Sequence, residues 1–206
     1  MLTLASEALI LVSGIALAAI LLPAIWGVLV YNRFVATRQH MKESWADIDV
    51  ELKRRHDLIP SLVATVRGYM EHERELFERI AALRAKAIEA HPNASAQATD
   101  ETALQLGLRH LFALSERYPD LKASSQFTTL QHELALTEDR IAAARRFYNA
   151  NVRDLNRLAM SFPTNLIATI FGFKPGSFFE LSSEAERVVP RAALSSMTQP
   201  APDTIH

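Results

Sequence analysis

The chain has 206 residues, 49% of them hydrophobic, a net charge of −1 and no cysteine. That length holds one ordinary domain with accessories, and the lack of Cys excludes disulfides, thiolate metal sites and cysteine nucleophiles. All 22 Lys and Arg lie after residue 32, as do 22 of the 23 acids, so the soluble part lacks the basic excess of a nucleic-acid binder.

The first element is "ALILVSGIALAAILLPAIWGVLVYN", residues 8–32, which carries no charge. As a helix it reaches about 37 Å, enough to cross a hydrocarbon core of about 30 Å even when tilted. Pro23, Gly14 and Gly27 are tolerable in a membrane helix, and Trp26 and Tyr31 suit an interface. A cleaved signal peptide needs a basic leader, and Glu7 is the sole charged side chain ahead of this span. The span therefore reads as a retained anchor. Arg33, Arg38 and Lys42 follow it at once, which places the amino terminus outside and the remaining bulk in the cytoplasm.

Helical periodicity governs the chain beyond the span. Met41, Trp45, Ile48 and Leu52 form one apolar stripe, and Leu62, Val66, Tyr69, Leu76, Ile80 and Leu83 another. Residues 89–101, "EAHPNASAQATDE", read as a loop, with Asp100 as N-cap of a helix carrying Leu104, Leu108 and Leu111. Pro119 breaks the chain again, and Ser124 or Ser125 caps the longest periodic stretch. There Phe127, Leu130, Leu134, Ile141, Ala144, Tyr148, Val152, Leu155 and Ala159 keep a near-heptad register. Glu138 and Arg145 fall on its solvent-facing turns, and Pro163 stops it. Asn149 and Asn156 share a face and read first as polar contacts that fix helix register. A ligand-contacting stripe is the other reading.

The stretch "LKRRHDLIPSLV" joins the two stripes and carries three cations, a histidine, an aspartate and Pro60. A corner explains every residue in it. Lys53, Arg54 and Arg55 would oppose the helix dipole in a last turn, Asp57 would cap the next helix, and Pro60 would occupy its first turn. A kinked continuous helix is the competing reading, and the apolar register running unbroken through Pro60 supports it. Against it stand the lost hydrogen bond, costing about 3 kcal/mol, and a length that two shorter helices could cover only end to end. The expectation is therefore a joint at Asp57 and Pro60. Pairs such as Asp49–Lys53 and Glu51–Arg55 would support the helix, with Lys53, Arg54 and Arg55 as a candidate surface for an acidic partner.

No catalytic constellation emerges. "EHERE" at 71–75 lacks the second histidine of a zinc helix, since residue 76 is Leu, and no two of the seven His stand four apart. There is no phosphate-cradling glycine loop and no nucleophile elbow. No enzyme activity, cofactor or metal is expected.

Two blocks carry a resemblance. "YNRFVATRQHMKESWADIDVELKRRHDLIPSLVATVRGYMEHERELFERIAALRAKA" and "YPDLKASSQFTTLQHELALTEDRIAAARRFYNANVRDLNRLAMSFPTNLIATIFGFKPGSFFE" resemble the LemA family of bacterial membrane proteins. The resemblance implies an anchored helical bundle at the bacterial cytoplasmic membrane, encoded in many cases near membrane peptidases. It brings no catalytic residues. The expected architecture is all-α: a transmembrane anchor (1–32), a four-helix up-and-down bundle of long, coiled-coil-like helices (33–161), an apolar segment (162–181) and a disordered tail (182–206). In the apolar segment Phe162, Leu166, Ile167, Ile170, Phe171, Phe178 and Phe179 would either close the bundle or lie at the membrane interface. The expected function is a membrane-anchored scaffold or adaptor that binds the bilayer through its anchor and associates with itself or another membrane protein. The alternative is a regulator of envelope or membrane stress acting with a membrane peptidase.

Overall fold

The computed structural model describes residues 2–181, with side chains from residue 11 onward; the tail expected to be disordered lies outside them. Six helices run in order through the described residues: α1 Leu2–Arg67, α2 Arg74–Ile88, α3 Ala94–Ser115, α4 Pro119–Ala123, α5 Ser125–Met160 and α6 Thr164–Phe171. Residues 173–181 run on as an extended strap, and no β-strand forms among the described residues.

α1 is one helix of 66 residues, about 100 Å long. It contains both Pro23 and Pro60, so the joint expected at Asp57 and Pro60 does not exist. The chain turns later, after Gly68, where Tyr69 N and Met70 N both donate to Val66 O. The physical reason for continuity lies outside the motif. Proline at 60 removes the N–H that would have bonded the carbonyl of residue 56. That carbonyl instead accepts from Arg84 Nε on α2 at 2.7 Å. A donor from another helix replaces the one proline lacks, while Ile59 and Leu62 stay buried on either side. Arg84→Ala should leave the carbonyl unpaired and cost about 1–3 kcal/mol. Denaturant unfolding of the full chain in detergent checks this. An unchanged midpoint would show that proline is tolerated for some other reason.

α5 lies antiparallel to α1 along its whole length. Phe127 and Leu134 share a core with Ile59, Leu62 and Val66. Ile141, Tyr148 and Val152 pack with Ile48 and Leu52, and Leu155 and Leu158 with Val30 and Phe34. α2 and α3 are too short to cover this pair. At 15 and 22 residues they span about 22 and 33 Å, and their buried residues lie mainly in the core farthest from the apolar span. The nearer part of the α1–α5 pair is covered by α6 and the strap, through Ala168 and Phe179. Four helices therefore meet only at the far end of the molecule.

Local signals set three of the helix ends. Asn93, not Asp100, caps α3, its side chain accepting from Ala96 N at 2.9 Å. The small residues read as loop at 94–101 form that helix's first turns. Ala and Gln are good helix formers once a cap satisfies the free N–H groups. Ser124 caps α5 as expected, accepting from Phe127 N. α6 ends at Gly172, whose φ of 70° is left-handed.

Candidate functional site

The charged motif on α1 is where the helices meet. Arg55 is fully buried, so it is not part of a partner-facing surface; Lys53 and Arg54 alone of the triplet are exposed. The Arg55 guanidinium pairs with Glu101 of α3 and, at 2.5 Å through Nη1, with Glu138 of α5. His56 Nε2 lies 3.0 Å from the second Glu101 oxygen, close enough for an ion pair but off the directional geometry of a hydrogen bond. Gln105 Nε2 donates to the other Glu138 oxygen at 2.9 Å. Arg54 reaches Glu133 of α5 at 2.9 Å, an exposed pair worth little. Adding the Arg84 bond to the carbonyl of His56, consecutive residues of one helix hold α2, α3 and α5.

The register explains this division. Residues 52, 55, 56 and 59 share one face of a helix, and Leu52, Arg55, His56 and Ile59 are all buried. Lys53 and Arg54 fall on the opposite side. The local pairs expected from spacing do not form. Arg55 goes to α3 and α5, while Glu51 faces Arg140 at 3.9 Å. Glu138, expected on a solvent-facing turn, is directed inward to meet Arg55.

Burial alone pushes the Glu101 carboxyl up, but the His56 imidazole and the Arg55 guanidinium held against its two oxygens outweigh it and keep the group below its ordinary value of 4.5. Asp100 does not cap a helix. Hydrogen bonds from Lys86 Nζ at 2.8 Å and His91 Nε2 at 2.9 Å tie it to α2 and the 89–93 turn and hold its carboxyl low.

A second constellation lies nearer the span. Asn149 donates through Nδ2 to Phe179 O and accepts at Oδ1 from Phe179 N, at 3.1 and 3.0 Å. Asn156 treats Gly176 the same way, at 3.1 and 2.8 Å. The spacing is metric. Seven residues of helix rise about 10.5 Å and three residues of extended chain about 10 Å, so the two amides meet the strap's backbone in step. Tyr148 Oη adds a bond to Ser177 O at 2.9 Å, and burial pushes its hydroxyl pKa up. Gly176 suits this close approach, since a Cβ there would stand 3.1 Å from Met41 Sδ. The two asparagines thus fix the register of a strap rather than of a neighbouring helix, a role their spacing hinted at without naming the partner.

The apolar candidates separate. Phe162, Leu166, Ile170 and Phe171 are exposed around α6, with Ile167 half-buried beneath it. Phe179 is wholly buried against Trp45, ring centroids 5.6 Å apart, so it belongs to the core and not to any interface. Phe178 is 37% exposed, but the strap leaves α6 and runs from the level of Asn156 to that of Asn149, which carries Phe178 away from the α6 cluster.

A LemA family profile matches residues 44–193, most of the chain. The chain belongs to the LemA family. The match takes in both the charged junction and the strap, and begins beyond the apolar span. The chain is also similar to the magnetosome proteins MamQ 2 and MamQ 1 of Paramagnetospirillum magneticum, each 24% identical over 73% of this chain and 64% of theirs. It is 26% identical to Protein LemA of Metamycoplasma hominis, over 76% of this chain and 71% of that one. The chain thus spans a little under two thirds of the MamQ proteins it matches. Within this LemA chain, α1 is the helix long and apolar enough to cross a membrane, and no cluster of His, Asp and Glu able to hold a metal occurs among the described residues.

Proposed function

We propose that this LemA chain is a non-enzymatic, membrane-anchored scaffold or adaptor that associates with itself or with another membrane protein. It sits in a bacterial cytoplasmic membrane as a single-pass protein, amino terminus outside and bundle in the cytoplasm, as the cations at 33, 38 and 42 favour. The observation that carries the reading is the unbroken α1. The apolar segment and the bundle's central helix are one continuous helix, so no flexible linker separates the bundle from the bilayer. The enclosed ionisable side chains Arg55, His56 and Glu101 are engaged in joining helices.

The test is photo-crosslinking in intact membranes from benzoylphenylalanine placed at Phe147 or Val50, which are 71% and 65% exposed on the bundle. A discrete adduct, identified by mass spectrometry as a second copy or one membrane protein, supports the scaffold. Monomer alone at both positions counts against it. Loss of a bundle fragment that depends on a membrane peptidase would instead favour the stress-regulator alternative.

A further inference from the structure

We infer that α6 is a second membrane contact: a short helix that clamps the bundle's near end into the headgroup–acyl boundary of the bilayer that α1 crosses. The inference rests on α1 being an anchor.

Residues 158–173 contain no charged side chain. The inner face of α6 packs through Ala168 and Ile167 against Val30, Phe34, Leu155 and Leu158. Its contact with α1 begins within the span, where Ile167 Cδ1 lies 3.7 Å from the point a Cβ on Gly27 would occupy. It extends through Tyr31, whose ring meets Phe171 tilted and Phe173 edge-on at centroid distances of 4.8 and 5.7 Å. Gly27 is five residues before the last uncharged residue, Asn32, a depth of about 7.5 Å. Interfacial helices bury their apolar face about 5–10 Å deep. The outer side fits the same depth: Phe162 in the turn before α6, Ile170 on α6 and Met160 at the end of α5 are 79%, 72% and 73% exposed, and Leu166 and Phe171 more than half. An exposed apolar cluster of this kind signals a partner. Its contact with α1 falls within the apolar span, where Val28 and Leu29 at the same level stay 61% and 63% exposed, and that identifies the partner as lipid.

Just above the cluster the chemistry changes as a bilayer requires. A cleft of about 280 Å³ is lined by Tyr31, Val35, Arg38, Lys42, Phe171 and Phe173. Its cations stand about 9 and 15 Å beyond Asn32 along α1, where long side chains reach down to headgroup phosphates. The rings below suit the interface.

The chain's lack of cysteine makes a direct test simple. Single variants Ile20→Cys, Ile170→Cys and Phe147→Cys of the full chain, spin-labelled in phosphatidylcholine–phosphatidylglycerol vesicles, report collisional access to oxygen and to an aqueous nickel chelate. Position 20 should be lipid-exposed and position 147 aqueous. Position 170 should resemble 20, with nickel access at least several-fold below that at 147. Nickel access at 170 equal to that at 147, with 20 still in lipid, overturns the inference and leaves the anchor standing. Spin–spin broadening at 170 that disappears on dilution with unlabelled chain assigns the face to a second copy and also overturns it. Aqueous access at 20 would undo the anchor reading itself.

Discussion

Arg55→Met should lower the melting temperature of the full chain in detergent by roughly 6–20 °C. Breaking a fully buried pair from one side typically costs about 3–5 kcal/mol, and in a protein of this size each kcal/mol is worth about 2–4 °C. The cost arises on Glu101, which is wholly buried and would retain only His56 beside it. Glu138, 29% exposed, can turn towards solvent and loses less. Adding Glu101→Leu should recover more than half of the loss, because it removes the stranded charge and leaves apolar volume in its place. A melting point for Arg55→Met within about 2 °C of the parent would show that the junction contributes little.

The same residue shapes the acid limb. The Glu101 carboxyl is held below 4.5 in the folded chain, so its stabilising contribution is complete above about pH 4.5 and is lost as pH falls through the lowered folded value. Arg55→Met removes one of the groups that oppose burial, so the folded pKa rises. Protonation then relieves the variant, and the gap between parent and variant should narrow below about pH 4.5. A gap independent of pH would mean that the loss is one of packing, not charge.

Phe179→Ala should cost a similar amount, about 3–5 kcal/mol for a buried aromatic, whereas Phe178→Ala should stay within about 1 kcal/mol. The two neighbours look equivalent in sequence. One ring fills the core beside Trp45 and Tyr148, whose centroids lie 5.2 Å apart, and it anchors the segment that Asn149 and Asn156 hold by its backbone. Removing it opens a cavity at the strap's far end, so the asparagine bonds, worth about 0.5–1.5 kcal/mol each, would lose their fixed register. Tryptophan fluorescence during denaturation in a Trp26→Phe background isolates Trp45 and reads this directly. Equal losses for the two phenylalanines would place both in the core; a loss for Phe178 alone would reverse the assignment.

These side chains show where the sequence was legible. The apolar span, the all-helical class, the cap at Ser124 and the stripe on α5 are local, since each depends on residues within a few turns. Three local rules gave wrong answers: Pro60 does not end a helix, the basic triplet is not one surface, and Asp100 is not a cap. A fourth left Phe179 between the bundle and the membrane interface, and the core claims it. Except at Asp100, where the nearby Asn93 takes the cap, the deciding partner is remote. Arg84 is 28 residues from His56, Glu101 and Glu138 are 46 and 83 from Arg55, and Asn149 is 30 from Phe179.

By itself, then, the sequence determined the features that short-range periodicity and capping control: helices, their apolar faces and a segment fit for a membrane. The tertiary structure decided which polar groups are buried, because burying a charge or an unpaired carbonyl is tolerable only when a partner arrives from elsewhere in the fold. That condition turned "LKRRHDLIPSLV" from a corner into the junction of an unbroken helix, since only packing brings α2, α3 and α5 to it.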